Sequence, residues 1–170
     1  WSPSYAGLVE PGASPLPAGW GQGTDCLLEA ARHPDASIVL NAVVGAAGLG
    51  ATLAAVHAGK RVALANKESL VVGGALVQHA ARQSGGEVIP VDSEHSALLQ
   101  CLAGRVGGDG PGLLPVQGVR RFIITASGGP FRTWETERIR GAKLADALNH
   151  PTWAMGKKIT VDSASLANKA

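Results

Sequence analysis

The fold is decided by an eight-residue apolar run, Ser37-Ile38-Val39-Leu40-Asn41-Ala42-Val43-Val44. Its length and its near-continuous hydrophobicity are typical of a strand buried in a parallel sheet. Two further apolar runs follow at 61–65 and 87–91, and segments of helical pattern lie between the three runs, at about 49–58 and 70–83. This strand–helix–strand–helix–strand order, with short connections, predicts a right-handed parallel α/β arrangement.

The flanking segments are less regular. Residues 1–24 are rich in Gly, Pro and Ser, which predicts loop or weak structure with room for one remnant element. Downstream of the third strand we predict, in order, a helix at 96–103, a Gly/Pro-rich loop at 104–118, a strand at 120–125, a largely helical segment at 133–149, a brief element at 159–161 and a terminal helix at 164–170. Asp25 is predicted to cap a short helix at 26–32, and Asp162 or Ser163 to cap the terminal helix.

The composition excludes several classes of protein. The 170 residues are 45% hydrophobic and 16% charged, which is a globular rather than a disordered composition. A formal charge of +2 is too small to indicate nucleic-acid binding, and the basic pairs at 120–121 and 157–158 are too short for a binding stripe. Cys26 and Cys101 show no metal-binding spacing, so we expect free thiols in a reducing compartment. No apolar run is long enough to span a membrane.

The third strand ends in two carboxylates, Asp92 and Glu94, with the Ser93 hydroxyl between them and His95 directly after. Oxygen ligands at the carboxyl end of a parallel strand are placed where α/β sheets hold their ligands, and they suit a hard divalent cation. Taken alone, two acids after a strand are more often a solvated turn or a helix cap.

Polar turns follow two other predicted strands. In the turn at 66–69, Asn66 and Glu68 could bond a ribose or an amide and Lys67 could meet a phosphate or an enolate, although a plain helix cap has the same composition. The turn at 127–129, Ser-Gly-Gly, is of a type that cradles phosphate. Further donors to such an anion would be Ser163, Asn168 and Lys169, each of which could equally be a cap or a surface residue.

The segment at 150–156 is predicted to be a loop, because Pro151 and Gly156 interrupt it. His150 could face a ligand there, and Trp153 could be either a lid over a substrate or an anchor that packs the loop down. The turn at 45–48 is small enough for close packing, but it is not a dinucleotide fingerprint. A nicotinamide cofactor would therefore need a phosphate loop upstream of Trp1.

Five long motifs in a fixed order resemble the 1-deoxy-D-xylulose 5-phosphate reductoisomerase family of non-mevalonate isoprenoid biosynthesis. They are Leu-Ala-Asn-Lys-Glu-Ser-Leu at 64–70, Pro-Val-Asp-Ser-Glu-His-Ser at 90–96, Thr-Ala-Ser-Gly-Gly-Pro-Phe at 125–131, His-Pro-Thr-Trp-Ala-Met-Gly at 150–156 and Val-Asp-Ser-Ala-Ser-Leu-Ala-Asn-Lys at 161–169. The resemblance begins near Gly23 and continues to Ala170. It implies an NADPH- and divalent-metal-dependent enzyme, using Mg²⁺ or Mn²⁺, that gives 2-C-methyl-D-erythritol 4-phosphate.

The resemblance also implies roles for particular residues. Asp92 and Glu94 would ligate the metal, and Trp153 and Met155 would belong to a flap that closes over the site. Catalytic roles would fall to Lys67, Asp92, Glu94 and His150. The cofactor would lie against Asn66, Glu68 and Gly156. The sugar-phosphate substrate would contact Lys67, Ser93, Glu94, Ser127, His150, Ser163, Asn168 and Lys169.

The fold that the resemblance implies is α/β, with the C-terminal part of a Rossmann-like NADPH domain at 1–91 and the start of an α+β catalytic domain at 92–170. We interpret the chain as an internal fragment, since the family's glycine-rich NADPH loop would precede Trp1 and its third metal carboxylate would follow Ala170. We therefore expect this polypeptide alone to be inactive and poorly folded, because its sheet and its metal site are both incomplete. Measurable NADPH turnover would refute this hypothesis.

Two other functions stay open at the level of sequence. One is a non-catalytic α/β module that binds a sugar phosphate or a metal, and the other is an ordinary nicotinamide dehydrogenase that needs no metal. For the full-length enzyme we expect a homodimer with a small-molecule substrate, without nucleic-acid or membrane partners. We expect it in the bacterial cytoplasm, with a plastid form as the alternative.

Overall fold

In a computed structural model of the chain, the structure describes residues 3–10, 15–102, 119–123 and 128–165. The chain divides into two compact units, Trp1–Gly118 and Val119–Ala170. The strands of the described residues are β1 (Gly7–Leu8), β2 (Gly21–Gln22), β3 (Ile38–Asn41), β4 (Arg61–Leu64) and β5 (Glu87–Pro90). The helices are α1 (Asp25–Arg32), α2 (Gly48–His57), α3 (Glu68–Ser84), α4 (Ser93–Leu102), α5 (Thr136–Arg140), α6 (Leu144–Ala147) and α7 (Lys157–Ser165), with a 3₁₀ turn at Gly45–Ala47 before α2.

The three predicted apolar runs form a parallel sheet in the order β3-β4-β5. Val39 pairs with Val62, and Val62 pairs with Val88. This confirms the α/β class with a parallel sheet, and each strand is slightly shorter than the apolar run that predicts it. Because neighbouring strands are parallel and in register, the loops that follow them emerge at the same edge of the sheet.

One face of this sheet carries the core of the first unit. Val62 is fully buried with Val56 of α2 and Val77 of α3. Removing a valine side chain of this kind from water contributes about 1.5–3 kcal/mol. Small residues such as Ala54 and Ala55 let the two helices pack closely, which explains how a chain with few aromatic residues still builds a core.

The N-terminal segment is more ordered than its composition predicts. Strands β1 and β2 form a short parallel pair, and the Tyr5 hydroxyl donates a hydrogen bond to Glu29 Oε2 of α1 at 2.5 Å. This hydrogen bond to the carboxylate raises the pKa of Tyr5 to about 12. The segment is thus ordered internally by the β1–β2 pairing and contacts α1 through the Tyr5 hydrogen bond. Asp25 is the first residue of α1 rather than its cap, and Thr24 precedes it without a side-chain capping bond.

The largely helical segment predicted at 133–149 contains two short helices, α5 and α6, separated by a turn. The chain turns tightly between them, where the amide of Gly141 bonds the carbonyl of Arg138. Lys143 is extended, and its amide donates to the Asp146 carboxylate at 2.9 Å, which caps α6. A helical pattern of side chains therefore spans two short helices and a turn.

The elements predicted near the end of the chain also differ from the structure. A single helix, α7, begins at Lys157, where a brief element and a helix starting at 164 were expected. Both the amide and the hydroxyl of Thr160 donate to the carbonyl of Gly156 at 3.0 Å, and Lys158 pairs with Asp162 one turn on at 2.7 Å. These local bonds favour helix over the β preference of an Ile-Thr-Val run. The strand predicted at 120–125 is absent from residues 119–123, and its last two positions lie outside the described residues.

None of the helices within the described ranges is both long and apolar enough to cross a lipid bilayer.

Two glycines of α2 give opposite predictions for substitution by alanine. A Cβ on Gly48 would lie 2.8 Å from Asn66 Cγ, whereas a Cβ on the exposed Gly50 would meet only Leu28 Cδ2, at 3.4 Å. We expect Gly48→Ala to lower the free energy of unfolding by about 1–3 kcal/mol through overpacking. Gly50→Ala should raise it by about 0.5–1 kcal/mol through helix propensity. Urea unfolding of both variants tests this, and equal effects would contradict the packing at Gly48.

Candidate functional site

The strongest candidate site of the first unit lies beyond the carboxyl ends of β4 and β5. Leu64 and Pro90 are register partners at the ends of these strands, so the residues that follow them approach each other. Lys67 Nζ lies 3.2 Å from Asp92 Oδ2, and the two side chains are only 25% and 16% exposed. The Coulomb attraction within an ion pair that is partly shielded from water is stronger than that within a pair on the open surface.

Several polar groups lie close to the side chain of Asp92. It directly precedes α4, and its carbonyl accepts the helix's first hydrogen bond, from the Ser96 amide at 2.8 Å. The positive end of the α4 dipole therefore lies near its carboxylate. His95 Nδ1 is 3.7 Å from the second carboxylate oxygen. The Glu94 carboxylate accepts from the Ser93 hydroxyl at 3.0 Å, so the predicted acidic group is gathered at one helix start.

The turn at 66–69 is held by the buried side chain of Asn66, which is 1% exposed. Its amide nitrogen donates to the carbonyls of Val43 and Gly45, and its oxygen accepts from the amide and hydroxyl of Ser69. These contacts use both donors and both acceptor positions of the side chain. The Asn66 side chain is thus fully engaged within the protein, and its contact with a cofactor stays a prediction. Glu68, the other predicted cofactor residue of this turn, is half-buried.

Asp92 and Glu94 fit part of a divalent metal site. Carboxylate oxygens are the donors that Mg²⁺ and Mn²⁺ prefer, and the Lys67 ammonium already places one positive charge against Asp92. In the part of the chain that the structure describes, no three His, Cys, Asp or Glu side chains are grouped so as to hold a metal by themselves. The residues present therefore fit a site that needs a further ligand.

In the second unit, the predicted phosphate turn approaches the predicted phosphate residue Ser163. Gly128 and Gly129 both have positive φ, at 85° and 64°. A Cβ on Gly129 would lie 2.4 Å from the carbonyl oxygen of Ser163, so only glycine allows the turn to pack on α7 here. Ser127, Asn168 and Lys169 lie outside the described residues.

The loop at 150–156 is organised by the His150 ring. Its Nδ1 atom accepts from the amides of Thr152, at 3.1 Å, and Trp153, at 2.9 Å. Because Nδ1 acts as an acceptor, a neutral ring carries its proton on Nε2. Trp153 is 61% exposed and Met155 is half-buried, while the Gly156 carbonyl accepts the first bond of α7. The proposed flap residues thus share one loop with His150.

The sequence did not reveal the buried polar residues beneath the site, Asn41, Thr52 and Ser69. They are 3%, 0% and 0% exposed. The available signal was an amide within an apolar strand and a hydroxyl within an alanine-rich helix, positions at which a polar residue needs a partner when buried.

The fold and the site define a parallel α/β protein with carboxylates at the end of one strand. Two family sequence models match the chain: 1-deoxy-D-xylulose 5-phosphate reductoisomerase over residues 14–74, and the C-terminal domain of the same enzyme over residues 88–170.

Curated relatives with the name 1-deoxy-D-xylulose 5-phosphate reductoisomerase include a protein of Rhodopirellula baltica, 50% identical over 87% of this chain and 38% of its own length. The chloroplastic enzyme of Oryza sativa subsp. japonica is 51% identical over 86% of this chain and 29% of its own length. The chain thus spans roughly a third of the length of the curated relatives that it matches.

Solved structures agree with this assignment. A reductoisomerase in complex with NADPH, fosmidomycin and magnesium has a TM-score of 0.73 and 40% identity, over 88% of this chain and 37% of that one. The Zymomonas mobilis enzyme in complex with NADPH has a TM-score of 0.70 and 44% identity, over 88% of this chain and 36% of that one. The chain belongs to the 1-deoxy-D-xylulose 5-phosphate reductoisomerase family.

The hydrogen bonds of His150 predict different outcomes for its two amide replacements. In His150→Asn the side-chain oxygen can replace Nδ1 as the acceptor, whereas in His150→Gln the amide group reaches the position of Nε2 instead. Each lost hydrogen bond is worth about 1 kcal/mol, so amide exchange at Thr152 and Trp153 should be several-fold faster in His150→Gln and near normal in His150→Asn. Residue-resolved hydrogen exchange by NMR checks this, and equal rates in the two variants would contradict the role of Nδ1.

Proposed function

We propose that the full-length protein is an NADPH- and divalent-metal-dependent reductoisomerase that converts 1-deoxy-D-xylulose 5-phosphate to 2-C-methyl-D-erythritol 4-phosphate. The observation that carries this proposal is the shielded Lys67–Asp92 pair at adjoining strand ends, in a chain that belongs to the reductoisomerase family. Relatives in complexes with NADPH and with magnesium support the choice of cofactors.

Asp92 and Glu94 would hold Mg²⁺ or Mn²⁺, which polarises the substrate ketone and the neighbouring hydroxyl and stabilises oxyanion charge. Lys67 lies against the same carboxylate, so its ammonium can also contact the oxygens of a substrate bound there. The Ser93 hydroxyl, beside Glu94, can hydrogen-bond the same ligand. NADPH supplies the hydride, and the turn at 66–69 would orient the cofactor through its main chain and Glu68.

The second unit would hold the phosphate end of the substrate. We assign this role to Ser127, Ser163, Asn168 and Lys169, supported by the glycine turn that packs against Ser163. His150 would contact the substrate from its loop, with Gly156 against the cofactor. Trp153 and Met155 would close over the ligand, since the loop at 150–156 is ordered by His150 rather than by helix or sheet. Closure of a flap excludes water and lets phosphate binding assist the reacting carbons.

The same proposal covers the organisation of the whole protein. We assign residues 1–91 to the NADPH domain and 92–170 to the catalytic domain, and we expect a homodimer in the bacterial cytoplasm. A polypeptide of these 170 residues alone is expected to lack turnover, because it spans little more than a third of its relatives.

Asp92→Asn, made in the full-length protein, tests the metal assignment. The amide keeps the shape of the side chain but removes its charge. The expected fall in metal-dependent kcat/KM exceeds the ~10–100-fold that loss of an outer-shell partner costs. Asp35→Asn is the matched control, since Asp35 is 79% exposed and distant in sequence from the motif, and it should stay active.

Near-normal activity of Asp92→Asn would contradict the assignment. Assays of the wild-type protein distinguish the two other functions. NADPH oxidation that survives a chelator would indicate an ordinary dehydrogenase, and sugar-phosphate binding without turnover would indicate a non-catalytic module.

A further inference from the structure

A closed circuit of hydrogen bonds lies directly beneath the candidate site. Asn41 donates to Thr52 Oγ1 at 2.8 Å, Thr52 contacts Ser69 Oγ at 3.4 Å, and Ser69 donates to Asn66 Oδ1. Asn66 then donates to the carbonyl of Val43, and the amide of Val43 donates to Asn41 Oδ1 at 3.1 Å. The four polar side chains come from β3, α2, α3 and the loop after β4, and each is at most 3% exposed.

The direction of this circuit is set by the chemistry of its ends. An amide nitrogen can only donate and an amide oxygen can only accept, so the hydroxyl of Ser69 must direct its proton to Asn66. The hydroxyl of Thr52 then has two acceptors within reach, Ser69 Oγ at 3.4 Å and the carbonyl of Gly48 at 3.1 Å, and both Ser69 and Gly48 contact the Asn66 side chain. Within the described residues, no buried side-chain nitrogen or oxygen lacks a hydrogen-bond partner. A network that is satisfied in this way resists rotation of any one member.

The circuit fixes the backbone on either side of Lys67. Asn66 Oδ1 accepts from the amide of Ser69 at 2.9 Å, which closes a turn with Lys67 and Glu68 inside it. Gly48 packs against the Asn66 side chain, where a Cβ would lie within 3.0 Å of three of its atoms. Asn66 therefore has no room to adopt another rotamer while α2 stays in place.

We propose that Thr52 and Ser69 are positioning residues of the reaction site, which act through Asn66 to aim Lys67 at Asp92. They do not contact the ligand themselves, and the inference rests on the proposed function only for its kinetic consequence. A circuit that closes through β3 also couples the loop after β3 to the turn after β4, so the two loops move as one body. Residues that surround a catalytic site commonly contribute in this way, by holding the catalytic side chains in position.

The test compares Thr52→Val with Thr52→Ser in the full-length protein. Valine keeps the volume and loses the hydroxyl, whereas serine loses a methyl group and keeps the hydroxyl. We expect kcat/KM for the sugar phosphate to fall about tenfold or more in Thr52→Val and to stay within about threefold of normal in Thr52→Ser. A crystal structure of each variant supplies the second measurement, the distance from Lys67 Nζ to Asp92, which should exceed 4 Å only in the valine variant.

Ser84→Ala is the matched control. Ser84 lies at the far end of α3, and its hydroxyl, which has one proton to donate, lies within hydrogen-bond distance of the carbonyls of Val56 and Ala80, at 2.6 and 2.8 Å. Its replacement should lower thermal stability and leave kcat/KM unchanged. Ser69→Ala provides a second test if Thr52→Val does not fold, with the same expected losses as the valine variant.

Two results would overturn the inference. The first is that kcat/KM and the Lys67–Asp92 distance are equal in the valine and serine variants. The second is that the valine variant loses stability while kcat/KM and the distance stay normal. Absence of reductoisomerase activity in the unvaried protein would instead overturn the proposed function. In that case the distance in the two crystal structures still decides whether the circuit aims Lys67.

Discussion

The candidate site depends on the orientation of one buried amide, the side chain of Asn66. Its oxygen closes the turn that carries Lys67, and its nitrogen reaches back to the loop after β3. A parallel sheet brings loops to the same edge, but it does not by itself fix the direction in which a side chain of such a loop points. The Asn66 bonds supply that direction, and the packing of Gly48 prevents the amide from turning.

A consequence is that the ammonium of Lys67 lies against the carboxylate of Asp92 as an ion pair. Asp92 has the ammonium of Lys67, the imidazole of His95 and the start of α4 close to its carboxylate. In the absence of a metal, the lysine offsets the charge of a carboxylate that is mostly shielded from water. Under the proposed function, a divalent cation on that carboxylate would leave the ammonium available to oxygens of the substrate. The same pair can thus contribute to the stability of the free protein and to ligand binding.

The sequence predicts the parallel sheet well, because the runs of Val, Ile and Leu between glycine breaks are local signals that tertiary contacts reinforce. It also predicts that Lys67 and Asp92 each follow a strand, but only the pairing of β4 with β5 shows that the two residues lie near one another. It fails where a weak local pattern competes with specific hydrogen bonds. The Ile-Thr-Val run at 159–161 is helical because the Thr160 hydroxyl bonds the carbonyl of Gly156. The helical pattern before it is interrupted at Lys143, because the amide of Lys143 bonds the Asp146 carboxylate and a new helix begins there. The circuit through Thr52 and Ser69 depends on the relative rotation of α2 and α3, which side-chain periodicity does not specify. The roles expected for individual site residues rest on the resemblance of whole motifs to the family, not on the spacing of the residues.

We propose that Asp92 is a carboxylate ligand of a divalent cation and that Lys67 is its counter-ion until the cation binds. This proposal can be tested by titrating the full-length wild-type protein and its Asp92→Asn and Lys67→Met variants with Mn²⁺ and measuring binding by electron paramagnetic resonance. We expect Mn²⁺ binding to be weaker by about tenfold or more in Asp92→Asn. In Lys67→Met the affinity should be equal or higher, because a like charge next to the cation has been removed. Unchanged affinity in Asp92→Asn, or a similar loss in both variants, would contradict it.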